Sequence, residues 1–202
     1  MFADGDGDGF GRAGNPEQRC GQLPPPGFAT RGTDCVDTDA QIHPGATELP
    51  GDEVDSDCNG EELCYRDDDG DGFRGENTIV SRNLSCADAH EARASTPSGD
   101  CCDADGDAHP GQTAYFERER DRVCQGPRYD YDCDGQETRQ WTQASDGSPA
   151  CTGSGGATCV ETAGLGWRAA APDCGRHADF AACTVSDEAC STSVNRRTQT
   201  CR

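Results

Sequence analysis

Apolar residues in this chain stand singly or in pairs. Neither a helical spacing nor a strand-like alternation runs for more than a few positions before Gly or Pro interrupts it. The pattern predicts loops and turns in place of long regular elements. Short helical turns are expected at Asp37, where "DTDAQI" places a capping residue ahead of helix-tolerant ones, and at Asp103.

The polar positions carry more order. A shift of 63 residues lays "MFADGDGDGF" over "CYRDDDGDGF", so that Asp4, Asp6, Asp8, Gly9 and Phe10 fall on Asp67, Asp69, Asp71, Gly72 and Phe73. Further on, "DCVDTDAQIHPG" from Asp34 aligns without a gap with "DCCDADGDAHPG" from Asp100, and "VDSDCNG" (54–60) aligns with "YDYDCDG" (129–135). Several features recurring in one order indicate an internal duplication. About nine extra residues around "AYFERERDR" distinguish the second copy and are expected to form a surface loop or one helical turn. The organisation read from this is a first repeat over 1–63, a second over 64–137 and a tail over 138–202.

With 202 residues, 32% hydrophobic and 6% aromatic, the chain has little from which to build a large apolar core. Fifteen cysteines indicate an oxidising location, secreted, extracellular or at a cell surface. All seventeen basic residues are arginines, against 38 acidic ones. Residues 1–137 hold 32 Asp and Glu against 11 Arg, whereas residues 138–202 hold six of each. A nucleic-acid partner does not fit this balance, and no apolar run has the length of a bilayer span. The acidic, glycine-rich start reads as a mature piece of something longer.

Carboxylates crowded at alternate positions repel one another unless a cation sits among them. "DGDGDG" and "DDDGDG" satisfy the first half of an EF-hand loop, with carboxylates at positions one, three and five, glycine at six and a carbonyl donor at seven, here Phe10 and Phe73. Position twelve, where an EF-hand carries Glu, is Asn15 or Thr78, so further oxygens have to come from elsewhere. Candidates are Asp34, Asp37 and Asp39 in the first copy and Asp100, Asp103, Asp105 and Asp107 in the second. The third motif, Asp55, Asp57 and Asn59 with counterparts Asp130, Asp132 and Asp134, either completes the same site or forms another. An all-oxygen ligand set selects Ca2+ over zinc. His43 and His109 precede Pro-Gly pairs and read as turn residues, while His90 and His177 read as surface residues. No nucleophile and base constellation recurs, so the reading is not an enzyme.

Cys20 and Cys35 are 15 apart, as are Cys86 and Cys101, and the recurrence predicts these two bridges. Cys124 and Cys133 bracket the last motif of the second copy, and Leu49 stands where Cys124 would align. Cys58 is then assigned to Cys64, leaving Cys102 unpaired.

The order "DGDGFG", "PPPGF", "DCVDTDAQIHPGATE", "DSDCNG" resembles the MopE-type metal-binding repeat of secreted bacterial proteins. The resemblance implies a calcium-loaded, disulfide-pinned extracellular module. Copper binding in the namesake involves histidines and an oxidised tryptophan, and neither Trp141 nor Trp167 lies inside a repeat. The end of the chain, "FAACTVSDEACSTSVNRRTQTCR", is similar to a thrombospondin type 1 module, in which arginines stack on aromatic rings. Trp167, Phe180, Arg196 and Arg197 are the residues available for such a ladder.

The expected protein is thus small, irregular and disulfide-rich. It combines two metal-stabilised, loop-rich repeats with a disulfide-rich tail, and serves as a structural or adhesive segment of a surface or fibre protein. Its partners would be another extracellular protein, a surface component or further copies of itself. A copper-acquisition protein and a hydrolase with its active residues in the tail are the alternatives. The neutral tail is expected to fold on its disulfides without regard to calcium.

Overall fold

The computed structural model describes residues 1–14, 16–18, 21, 23–143, 150–152, 160–163, 166–186 and 189–202. Two compact units emerge, Met1–Gly99 and Asp100–Arg202. This partition is distinct from the duplicated one, because it follows contacts and not sequence likeness.

Among the described residues there is no helix. In the first unit, β1 (Phe2–Ala3) pairs antiparallel with β2 (Phe28–Ala29). A three-stranded antiparallel sheet places β3 (Glu62–Asp67) between β4 (Thr78–Ser81) and β5 (His90–Ala92), with Cys64 opposite Ile79 and Tyr65 opposite Ala92. Gly51 docks on this sheet: its N–H donates to the Leu63 carbonyl at 2.7 Å, and its carbonyl accepts from Ala94 at 2.9 Å. The approach needs glycine, since φ is +75° and a Cβ would lie 2.4 Å from the Ala94 nitrogen.

In the second unit β6 (Ala150–Thr152) pairs with β7 (Val160–Ala163), and β8 (Gly166–Trp167), β9 (His177–Ser186) and β10 (Ala189–Thr198) form a sheet in the order β10-β9-β8. The β9–β10 hairpin is longer than the apolar pattern foretold. No Gly or Pro occurs from His177 to Arg202, and a pairing of ten residues on each side supplies the backbone hydrogen bonds that weak hydrophobic alternation does not advertise. The core gathers Cys102, Ala108, Tyr129, Tyr131 and Cys201, with Phe116, Cys124 and Cys174 packed against it. Phe116 and Cys201 exchange backbone hydrogen bonds of 2.8 and 3.0 Å, so the last residues of the tail return to the insertion of the second copy.

The turns predicted at Asp37 and Asp103 stop after a single cycle. Asp39 N bonds Val36 O at 3.1 Å and Ile42 N bonds Asp39 O at 2.9 Å; Asp105 N bonds Cys102 O at 2.9 Å and Ala108 N bonds Asp105 O at 2.7 Å. These bonds span three residues, and Pro44 or Pro110 follows too soon for a helix to continue.

The disulfides correct the pairing read from spacing. Cys35 joins Cys58, Cys64 joins Cys86, Cys101 joins Cys133, Cys102 joins Cys124 and Cys174 joins Cys201. A spacing that recurs in a duplication marks equivalent cysteines, not partners. What makes the partners is the fold. His43 N donates to Ser56 O at 2.9 Å and His109 N to Tyr131 O at 3.0 Å, which draws the second and third motifs of each copy together. Cys102 is not a free thiol. Its bridge to Cys124 replaces Val36 and Leu49 of the first copy, so both ends of an extra disulfide appear together. Cys20 lies outside the described residues.

Candidate metal centres

Each aspartate loop is organised by its own side chains. Asp4 accepts from Gly7 N at 2.7 Å and Gly9 N at 3.3 Å, Asp6 from Asp8 N at 3.2 Å, and Asp8 from Phe10 N at 2.7 Å. The second copy repeats this with Asp67 to Gly70 and Gly72 at 2.8 and 3.3 Å, Asp69 to Asp71 at 3.2 Å, and Asp71 to Phe73 at 2.7 Å. Asp6, Asp8, Asp69 and Asp71 each turn one oxygen to the backbone in these bonds, whereas both oxygens of Asp4 and of Asp67 accept from backbone N–H groups. One oxygen from each of Asp4, Asp6 and Asp8 lies within 4.8 Å of the others, and the same holds for Asp67, Asp69 and Asp71.

The first loop draws in the next motif. Gly5 N donates to Asp37 Oδ1 at 2.8 Å, and a Cβ on Gly5 would stand 2.6 Å from the Asp37 carbonyl oxygen. Asp34, 1% exposed, is held by Val36 N at 2.8 Å. Burial pushes its carboxyl up; the Val36 N–H opposes this, and the charges of Asp8, Asp6 and Asp37 add to the rise. Oδ2 of Asp6, Asp8 and Asp34 are each buried with no hydrogen-bond partner. Buried carboxylate oxygens facing other carboxylates are costly alone and are satisfied by a hard cation, so these residues fit one.

The third motif is built alike in both copies. Asp55 accepts from Asn59 N and Gly60 N at 2.9 and 3.0 Å, and Asp130 from Asp134 N and Gly135 N at 3.0 and 3.1 Å. Cys58 and Cys133 take φ of 56° and 58° at the same point of this turn. The motif forms its own clusters, Glu48 with Asp55 and Asp57, and Asp130 with Asp132 and Asp134. A further grouping, Asp34 with Cys35 and Cys58, offers only the carboxylate, because both sulfurs are in a disulfide.

Other expected ligands are placed differently. Asp39 accepts from Gln41 N at 3.1 Å within its turn, and the Asn59 amide is spent on Glu61 N at 2.6 Å and Asp57 at 2.9 Å. Asp103 stands outside the clusters. Asp105 and Asp107 face Arg118 from the insertion: two bonds of 2.7 Å reach Asp105 and one of 2.5 Å reaches Asp107. The Arg118 hydrogen bonds hold the Asp105 carboxyl below the usual aspartate range in spite of its burial. Arg202 pairs with Asp132 at 2.9 Å.

Sequence reasoning missed Glu48, Glu62 and these arginines. Glu62 is 1% exposed; burial first, then the charges of Glu48 and Asp52, push it up to about 7 against a smaller opposing effect of the backbone at Glu53 and Gly51. The insertion of "FERERDR" was the one available signal that the second copy brings its own cations.

Histidine nitrogens do not enter the clusters found among the described residues. Nδ1 of His43 and of His109 faces the carbonyl of the following proline at 3.3 and 3.1 Å, in keeping with a turn role, and the His43 ring stacks on Phe10 with centroids 5.1 Å apart. In the tail, Arg197 lies over both Trp141 and Phe180, at 5.4 and 4.9 Å.

Residues 34–62 and 100–115 match the family model Cu-binding MopE, described as "Putative metal-binding motif". Both copies carry the MopE-type motif. The matched stretch of the first copy contains Asp34, Asp37, Glu48, Asp55 and Asp57, and that of the second contains Asp100 and the Arg118-bound Asp105 and Asp107. No curated protein and no solved structure matches the chain. The thrombospondin likeness of the tail rests on its sequence alone.

Proposed function

We propose that this chain is a non-catalytic, calcium-binding structural or adhesive segment of an extracellular protein. The carrying observation is the convergence of one oxygen from each of Asp4, Asp6 and Asp8 within 4.8 Å, with Oδ2 of Asp6 and of Asp8 buried and unpartnered. A set made only of hard oxygens suits calcium, whose flexible coordination of six to eight oxygens tolerates an irregular loop. Disulfides through both units support an oxidising, extracellular setting. In a chain poor in apolar residues, ions that bind the folded form alone take over part of the work of a core. Partners would be other extracellular proteins, surface components or further copies of the chain. The name of the matched family keeps copper as a second reading.

Elemental analysis of protein purified without added metal, followed by calorimetric titration of the chelator-treated chain with Ca2+ and with Cu2+, tests the proposal. Calcium uptake with heat-stable refolding is expected. Uptake of copper in preference to calcium would overturn it.

A further inference from the structure

A cleft of about 480 Å³ opens in the second unit beside the sheet of β8, β9 and β10, and its lining joins aromatic rings to a guanidinium. Trp141, ahead of β6, and Phe180, on β9, meet with ring centroids 5.7 Å apart at a tilt of 55°. Arg197, on β10, sets its guanidinium 5.4 Å from the Trp141 ring centre and 4.9 Å from that of Phe180. Gln140, Thr142 and Gln143 add amide and hydroxyl groups to the lining.

The wall is fixed from within the protein. Trp167, fully buried, donates from Nε1 to the Trp141 carbonyl at 3.0 Å and from its backbone N to the Gln143 carbonyl at 3.1 Å, and packs edge-on against Phe180 at 5.0 Å. Trp141 is thereby held half-buried, while Gln140, Thr142 and Gln143 are exposed. Gln140 Oε1 accepts from the Thr200 hydroxyl, which leaves its amide N–H groups to donate. Arg118, Arg128, Arg139 and Arg202 of the same unit all pair with carboxylates. Among the described residues, by contrast, no aspartate or glutamate lines the cleft, and Arg197 has no ion pair.

We propose that this cleft binds a carboxylated sugar, a hexuronate residue of an acidic polysaccharide. A pyranose ring presents an apolar C–H face that packs flat on an indole, and its hydroxyls suit amide and hydroxyl partners. The guanidinium fork matches a carboxylate through two parallel hydrogen bonds. Contact with the rings holds Arg197 in place before the ligand arrives, so less side-chain freedom is lost on binding. A neutral sugar leaves the guanidinium unanswered, and a small carboxylate leaves the indole bare. The acidic repeats repel a polyanion, which directs the contact to the tail, where acids and arginines balance at six each. The cleft goes beyond the metal reading, on which it does not depend, and gives the adhesive role a ligand.

The test titrates the full chain, in the presence of Ca2+ and at physiological salt, with trigalacturonate and with its methyl ester. Tryptophan emission and calorimetry follow wild type, Trp141→Ala, Arg197→Gln, Arg197→Lys and the surface variant Arg82→Gln of the first unit. Wild type is expected to bind the acid at least about tenfold more tightly than the ester, and Arg197→Gln to lose about the same factor. Arg197→Lys should recover part of the loss, Trp141→Ala should lose affinity for acid and ester alike, and Arg82→Gln should bind as wild type. Equal affinity for acid and ester, or full affinity in Arg197→Gln, would overturn the inference. An equal loss in Arg82→Gln would overturn it too, by reducing the binding to general charge attraction. Absence of binding by a wild type that takes up calcium would overturn the cleft and leave the metal reading intact. Should Trp141→Ala fail to fold, Arg197→Gln, at an exposed strand position, decides.

Discussion

Arg118 holds Asp105 through two parallel hydrogen bonds of 2.7 Å, a fork-to-fork pair between a half-exposed guanidinium and a buried carboxylate. An arginine of the insertion thereby occupies the carboxylates that an ion would otherwise bridge. Since Asp105 is held below its ordinary range when folded, the pair stabilises the protein at pH values above that range. The stabilisation is lost as pH falls through the lowered folded value. Arg118→Gln should destabilise the second unit by about 1–2 kcal/mol at neutral pH, less than a fully buried pair because half of Arg118 meets solvent. It should also flatten the acid limb of the stability profile. Denaturant unfolding between pH 2 and 7 measures both, and an unchanged acid limb would contradict the assignment.

The Cys102–Cys124 bridge closes a separation of 22 residues in a copy whose counterpart folds with Val36 and Leu49 instead. Replacing both cysteines by Val and Leu should therefore cost about 2–4 kcal/mol, the usual worth of such a loop closure, without loss of the fold. Guanidinium unfolding gives the magnitude. Mapping of unreduced peptides should find the Cys35–Cys58, Cys64–Cys86, Cys101–Cys133 and Cys174–Cys201 bridges unchanged.

Gly51 lies where β3 and the segment after β5 leave no room for a side chain. Gly51→Ala should destabilise the first unit by about 1–3 kcal/mol from backbone strain alone, with the clash at Ala94 adding to this. Thermal unfolding in excess chelator isolates the effect from metal binding. A variant as stable as wild type would mean that the loop docks less tightly than the geometry indicates.

Calcium at 100 times its dissociation constant should raise stability by about 2.7 kcal/mol per site. Gly5→Ala, which would place a Cβ 2.6 Å from the Asp37 carbonyl, should weaken that response in the first loop and also lower stability in excess chelator, because one of the two backbone segments has to move. Thermal melts across a calcium series separate the two quantities.

Arg197 between Trp141 and Phe180 is exposed, so each ring contact is worth about 0.5–1 kcal/mol. Arg197→Ala should lower stability by about 1 kcal/mol and shift tryptophan emission, whereas Arg197→Lys should recover part of both. Equal loss with Lys and Ala would mean that the planar stacking, not the charge, holds the rings.

The sequence by itself determined what is local. An Asp-Gly alternation closes its own turn through side-chain to backbone bonds spanning two to five residues, and both aspartate loops and both third motifs take the form their residues dictate. Duplication, poverty of helix and abundance of disulfides were legible for the same reason. Only the tertiary structure decided which distant groups meet. The pairing of Cys35 with Cys58, the approach of Asp37 to Gly5 across 32 residues, and Arg202 on Asp132 depend on how loops without periodicity pack, and no repeat spacing encodes that. The β9–β10 hairpin belongs to the same class, since its residues are held by cross-strand bonds and not by an apolar pattern. Nothing in the sequence marks Glu62, which the fold buries at the start of β3, where lost solvation, not residue type, sets what its carboxylate requires.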